Sequence, residues 1–165
     1  MQPGSHVDRT AEWEQLRSTY LAPKADRPPT SARGFHHVAA LSSDVETTVN
    51  FYQGVLGFPL TDLFENRDYP GSTHFFFDVG NGNSIAFFDF PGLGLGDYAE
   101  VLGGLHHIAI SVTPEVWDTT KAKFDAVGRE YAIVSGTSMY FAGPDGERLE
   151  FIKEPLGQMY GHEVL

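Results

Sequence analysis

Residues 35–41 and 105–111 each begin apolar, His, His, β-branched, Ala, and both runs have the character of a strand. Each run leads into a stretch of helical spacing. In the first, Val45, Val49, Tyr52 and Leu56 fall on one helix face; Ser42-Ser43-Asp44 offers N-caps and Gly57 a stop. In the second, Trp117, Thr120, Phe124 and Val127 mark the face, with Thr113 as cap, Pro114 in the first turn and Gly128 as stop. Three strand-like runs follow each helix: 58–65, 73–78 and 84–89 in the first half, and 131–134, 138–142 and 148–153 in the second. Gly80-Asn81-Gly82-Asn83 and Gly143-Pro144-Asp145-Gly146 supply the last turn of each half. The order βαβββ is therefore written twice.

The duplication reaches individual residues. Phe35-His36-His37-Val38-Ala39 returns as Leu105-His106-His107-Ile108-Ala109. A gapless match of the module ends sets His74 against Ser138, Phe76 against Tyr140, and Ala86 against Glu150. The expected organisation is an N-terminal helix and Pro-rich linker over 1–33, module one over 34–89, a Gly-rich connection over 90–103, module two over 104–154, and a tail over 155–165 without a strong pattern. Trp13, Leu16 and Tyr20 give the N-terminal helix its spacing, and Pro23, Pro28 and Pro29 end it. That helix is expected on the outside of the domain.

Composition narrows the function. The chain has 165 residues, a formal net charge of −11 and 13% aromatic residues. So acidic a chain argues against nucleic acid or an anionic membrane as partner. Cysteine is absent, which excludes disulfides, thiolate metal sites and a thiol nucleophile. No apolar run approaches a membrane span, and the polar start lacks a secretory core, so a cytoplasmic location is expected. Gly4-Ser5-His6 reads as an appended remnant, and His6 is given no role.

With cysteine absent, metal chemistry falls to histidine and carboxylate. His37 and His107 occupy equivalent positions of the two modules, and Glu150 lies on the last strand where module one has Ala86. Two imidazoles and one carboxylate suit a divalent first-row ion and leave coordination positions open. Strand alternation turns His36 and His106 the other way, toward the helix-packed or edge side. His74, Tyr140, Phe76, Phe88 and Met139 complete the candidates, the last three as apolar wall.

These motifs resemble the vicinal oxygen chelate superfamily, which includes glyoxalase I, bleomycin- and fosfomycin-resistance proteins and extradiol ring-cleaving dioxygenases. The resemblance spans about 34–154. It rests on the two His-His strands, on Asn50-Phe51-Tyr52 with Val55-Leu56-Gly57-Phe58, and on Gly143-Pro144-Asp145-Gly146-Glu147-Arg148-Leu149-Glu150-Phe151. It implies an α+β fold in which two βαβββ modules pair into an open cup around a metal site held by His37, His107 and Glu150. Among the members, extradiol dioxygenases fit best: Tyr140 followed by Pro144, Gly146 and Glu150 looks like their last-strand pattern, and His74 stands where they carry an acid/base. Gly143 departs from the small polar or acidic residue usual there, and no histidine occurs over 127–139. The implied function is opening of a small aromatic diol by a homodimer with one divalent ion, Fe(II) first, with Mn, Ni, Co or Zn also compatible. The acidic surface favours a neutral diol over an anionic one. The competing readings are a glyoxalase- or fosfomycin-type lyase or transferase, for which Arg148 and Lys153 are the only nearby cations, and a metal-free binding protein.

Overall fold

The computed structural model describes residues 7–165. The readings made on residues 1–6, His6 among them, lie outside the described residues. Residues 35–165 form one compact unit and the segment up to Gly34 another. In that segment α1, Thr10–Tyr20, has none of its residues buried; Arg9 pairs with Glu12 in its first turn.

The larger unit is mixed α+β, two βαβββ modules with one open four-stranded sheet each. The first contains β1 (His37–Leu41), α2 (Val45–Val49), β2 (Leu60–Glu65), β3 (Thr73–Asp78) and β4 (Ser84–Phe88), in sheet order β1-β4-β3-β2. The second contains β5 (Ile108–Ser111), α3 (Pro114–Val127), β6 (Ala132–Val134), β7 (Ser138–Ala142) and β8 (Arg148–Ile152), in the same order, β5-β8-β7-β6. In each sheet the first strand runs parallel to the last and every other pairing is antiparallel. Ladder registers repeat as the sequence duplication requires: Phe76 faces Ala86 in one sheet, and Tyr140 faces Glu150 in the other.

Local chemistry explains the helices. Asp44 accepts a hydrogen bond from Thr47 N, and Thr113 accepts one from Val116 N, each satisfying an otherwise free amide. Gly128 ends α3 at φ 65°, a left-handed conformation that glycine adopts without strain. The first helix departs from its expected course. After Val49 it widens into a π-helical stretch over Asn50–Val55, in which Leu56 N donates to Phe51 O. The neighbours Phe51 and Tyr52 are both buried within this stretch. The apolar face expected of α3 is also shorter than its spacing suggests. Trp117, Thr120 and Phe124 are buried, but Val127 is 77% exposed. Arg129 lies beyond it, with its guanidinium 4.5 Å from the Phe51 ring centre and 5.7 Å from that of Phe124, and covers the core where Val127 would have reached.

One face of each sheet packs on its helix. Phe75, Phe77, Ile85 and Phe87 do so in the first module, and Phe141, Leu149 and Phe151 in the second, all in one hydrophobic cluster. The cluster crosses between modules, with Phe58 5.8 Å from Phe151 and Phe51 6.4 Å from Phe141, ring centre to ring centre. Polar links cross as well. Tyr52 OH donates to Glu147 at 2.7 Å, Ser43 N to Asp145 at 3.1 Å, and Lys123 Nζ to Val55 O at 2.9 Å.

The tail has more structure than its sequence pattern suggests. β9 (Gln158–Met159) and β10 (His162–Glu163) form a hairpin around Tyr160 and Gly161, both at positive φ, the geometry of a tight two-residue turn. Glu154 accepts hydrogen bonds from the amides of both turn residues. Among the described residues no helix is long and apolar enough to cross a membrane.

Candidate metal centre and aromatic wall

The face of each sheet turned away from its helix carries the chemistry. In the second module the ladder sets Glu150 between Ala109 and Tyr140, and His107 immediately precedes β5. Glu150 is only 2% exposed. Its carboxylate lies 3.0 Å from His107 Nε2, and Tyr140 stands directly across the ladder from it. A carboxylate so deeply buried requires such partners. Burial, and then the Glu150 charge, pushes the Tyr140 hydroxyl above its ordinary value, so it stays protonated and available as a donor. The Tyr140 ring stands edge-on to His107 at 5.6 Å.

The paired histidines share one arrangement. His36 Nδ1 lies 2.9 Å from His37 Nδ1, and His106 Nδ1 lies 2.6 Å from His107 Nδ1. His36 and His106 are exposed, not packed against a helix, because both precede their strands and lie outside the sheet ladders. In the second module Arg148 Nη1 also lies 3.3 Å from His106 Nε2, and His107 Nε2 faces the Glu150 carboxylate.

The first module's open face is aromatic. His74 stacks on Phe88 at 3.8 Å and lies 4.2 Å from the Phe76 ring and 5.5 Å from that of Phe64. Phe76 in turn stands 6.1 Å from His37. Burial, and secondarily the nearby His37, holds the His74 pKa below its ordinary value, so the imidazole is neutral at neutral pH. Its Nε2 is buried and, among the described residues, has no hydrogen-bond partner. Buried polar atoms are usually satisfied, so a nitrogen left free in an aromatic wall is a candidate for substrate contact.

The structure thus gathers the expected residues into two groups. His107, Glu150 and Tyr140 meet on one open face; His37, His74, Phe76 and Phe88 share the other. Among the described residues no three His, Asp or Glu side chains converge closely enough to hold an ion. The donor chemistry of His107 and Glu150 suits a divalent cation, since imidazole nitrogen and carboxylate oxygen already face each other at bonding distance for a shared proton or ion. Met139 is a correction. It is fully buried on the helix-packed face, because alternation turns it away from its neighbour Tyr140. Phe64 takes a place in the wall instead, and a register shift between Leu60 and Asp62 brings it opposite His74. Arg148 is also an addition, with its guanidinium 4.8 Å over the Tyr140 ring.

Two sheets of this topology with histidine at the start of each first strand define a class, and the comparison with known families agrees. The chain belongs to the Glyoxalase/Bleomycin resistance protein/Dioxygenase superfamily, whose profile matches residues 34–151. Among curated relatives, "Putative ring-cleaving dioxygenase MhqE" of Bacillus subtilis (strain 168) is 35% identical over 80 residues, which is 47% of this chain and 26% of the relative. "Putative ring-cleaving dioxygenase MhqO" of the same organism is 27% identical over 131 residues, 76% of this chain and 41% of the relative. The chain therefore spans less than half the length of either. Among solved structures, a glyoxylase/bleomycin resistance protein/dioxygenase domain from Frankia sp. EAN1pec superposes with a TM-score of 0.65 at 19% identity, covering 78% of this chain and 96% of that one. A mutant of the fosfomycin resistance protein FosX of Listeria monocytogenes, complexed with Mn(II) and 1S,2S-dihydroxypropylphosphonic acid, gives a TM-score of 0.55 at 22% identity, covering 75% and 94%.

Proposed function

We propose that this chain is a metal-dependent, ring-cleaving dioxygenase-like enzyme acting on a small aromatic diol. The observation that carries the reading is the neutral imidazole of His74, its Nε2 free, set among Phe64, Phe76 and Phe88 on the sheet that also bears His37. Such a wall takes an aromatic ring by stacking, and a neutral imidazole within it takes a proton from a diol. Tyr140, kept protonated, donates to a substrate oxygen. The curated relatives named as ring-cleaving dioxygenases support this chemistry over the alternatives.

In this proposal His107 and Glu150 hold one divalent ion, Fe(II), and His37 completes the set. A bound ion supplies Lewis acidity and, as iron, the redox chemistry for opening the ring with dioxygen. Because His37 lies on a different open face from the other two, we assign the completed site to a homodimer, in which the first module of one protomer faces the second module of its partner. The protein is proposed to act in the cytoplasm.

The test is oxygen uptake by Fe(II)-loaded protein given catechol, with the ring-opened product followed by absorbance. His74→Phe keeps the wall and lowers turnover by roughly 10²–10⁴-fold, the usual contribution of a general acid–base group, without releasing metal. Protein that binds catechol and iron yet consumes no oxygen refutes the proposal.

A further inference from the structure

Arg148 is the cation that the proposed chemistry does not use. It lies on β8 two residues before Glu150, so both side chains emerge on the same face. Its guanidinium covers the Tyr140 ring at 4.8 Å. Its Nη1 lies 3.3 Å from Glu100 Oε1 and 3.3 Å from His106 Nε2. Lys153, the other nearby cation, is occupied elsewhere, with its ammonium 4.0 Å from the Trp117 ring centre.

Arg148 also borders a cavity of about 330 Å³, shared with Ala40, Leu41, Tyr98, Leu105 and His107. That space accommodates a small aromatic molecule beside the His107–Glu150 pair. Asp97, Asp145 and Glu147 reach the same cavity. Asp145 is held by Ser43 N, and Glu147 by Tyr52 OH. Asp97, the remaining acid of the cavity, and Glu100, the partner of Arg148, both lie on the connection between modules. That connection has no helix or strand from Asp89 to His107 and is exposed from 91 to 106. Gly92, Gly94 and Gly103 adopt left-handed φ there, so the segment bends where other residues resist. Tyr98 ties it down by donating to Leu105 O and His106 O.

We infer that Arg148 is the anion-recognition residue of this site, that Glu100 is its resident counter-ion, and that the aromatic ligand carries a carboxylate. The inference rests on the proposed function for the diol part of the ligand only. An arginine fork matches a carboxylate in geometry, and a substrate carboxylate that replaces Glu100 keeps Arg148 paired while Glu100, on an exposed segment, moves into solvent. A net charge of −11 repels anions over the molecule as a whole, so recognising one needs a local cation such as this. The neutral diol expected from overall charge is thereby revised to an acidic one.

The test uses the full chain, stripped of metal with a chelator, and two probes without a diol: benzoate and the neutral benzyl alcohol, titrated by calorimetry at low salt. The wild type binds benzoate about tenfold more tightly than benzyl alcohol, the size of one partly exposed charge-assisted hydrogen bond. Arg148→Gln abolishes that preference, Arg148→Lys reduces it, and Glu100→Gln tightens benzoate severalfold while leaving benzyl alcohol unchanged. Equal binding of the two probes by wild type, or an undiminished benzoate preference in Arg148→Gln, overturns the inference. Because neither probe has a diol and no metal is present, a benzoate preference in a protein that fails to consume oxygen with catechol refutes the dioxygenase reading and leaves the role of Arg148 standing.

Discussion

Tyr52→Phe removes a single oxygen from the most buried link between the modules. Tyr52 is 0% exposed, and its hydroxyl donates to Glu147 at 2.7 Å. The ring itself keeps its packing in the variant, 5.2 Å from Phe77 and 4.9 Å from Phe87. What is lost is a hydrogen bond to a half-buried carboxylate, which leaves Glu147 with the amide of Asp145 at 3.0 Å. Bonds of this kind contribute about 1.5–3 kcal/mol. For a chain of this size each kcal/mol moves the melting temperature by roughly 2–4 °C, so the variant should melt about 3–12 °C below wild type. The partner variant Glu147→Leu removes the stranded acceptor. The double variant should therefore lose clearly less than the sum of the two single losses, measured by urea unfolding. Equal melting of Tyr52→Phe and wild type, or strict additivity in the double variant, refutes the claim that this bond joins the modules.

Gly143→Ala should disturb the same link from the other side. A Cβ at 143 would overlap the Glu147 carboxylate, so the melting temperature should drop and the variant should show no further loss when combined with Tyr52→Phe. Burial raises the Glu147 pKa above its ordinary value, so the folded state takes up the proton more readily than the unfolded chain. The resulting stabilisation is complete below the unfolded carboxyl pKa and is lost as pH rises through the folded one, so unfolding free energy across that window should fall less in Glu147→Leu than in wild type. His107→Ala should abolish stoichiometric binding of a divalent ion, whereas His106→Ala should keep a full equivalent with affinity lowered about tenfold, because it loses only the imidazole that orients His107; elemental analysis after dialysis separates the two.

Much of this arrangement was legible because the side-chain period of a strand is two. The alternation that put His37, His74, Phe76 and Phe88 together, and His107, Tyr140 and Glu150 together, is the alternation of the ladders. The same rule, applied strictly, excludes Met139, since it adjoins Tyr140 and must face the core. Other features leave weaker traces. The spacing of Val45, Val49, Tyr52 and Leu56 marks one helix face and does not announce the π-helical stretch over Asn50–Val55. The tail strands have two residues each, too few for any period, and only Tyr160-Gly161 marks their turn. Glu100 meets Arg148 across 48 residues of chain, and nothing in local pattern announces such a contact. The separation of His37 from the His107–Glu150 pair is likewise set by how two cores pack, not by either strand.

The start of β8 joins fold and chemistry through one alternation. Glu147 and Leu149 hold the strand in place: the first, at the edge of the cavity, accepts from Tyr52 of the other module, and the second packs in the core. Arg148 and Glu150 point outward, to the cavity and to His107. The position of the two outward groups therefore depends on the other two, which hold the strand against the first module. Gly143 takes its meaning from this. A side chain there would overlap the Glu147 carboxylate, so glycine at 143 leaves the room in which Glu147 reaches Tyr52. Weakening that contact should loosen β8 at its first residues and shift Arg148 before it shifts Glu150, which lies deeper in the ladder between Ala109 and Tyr140.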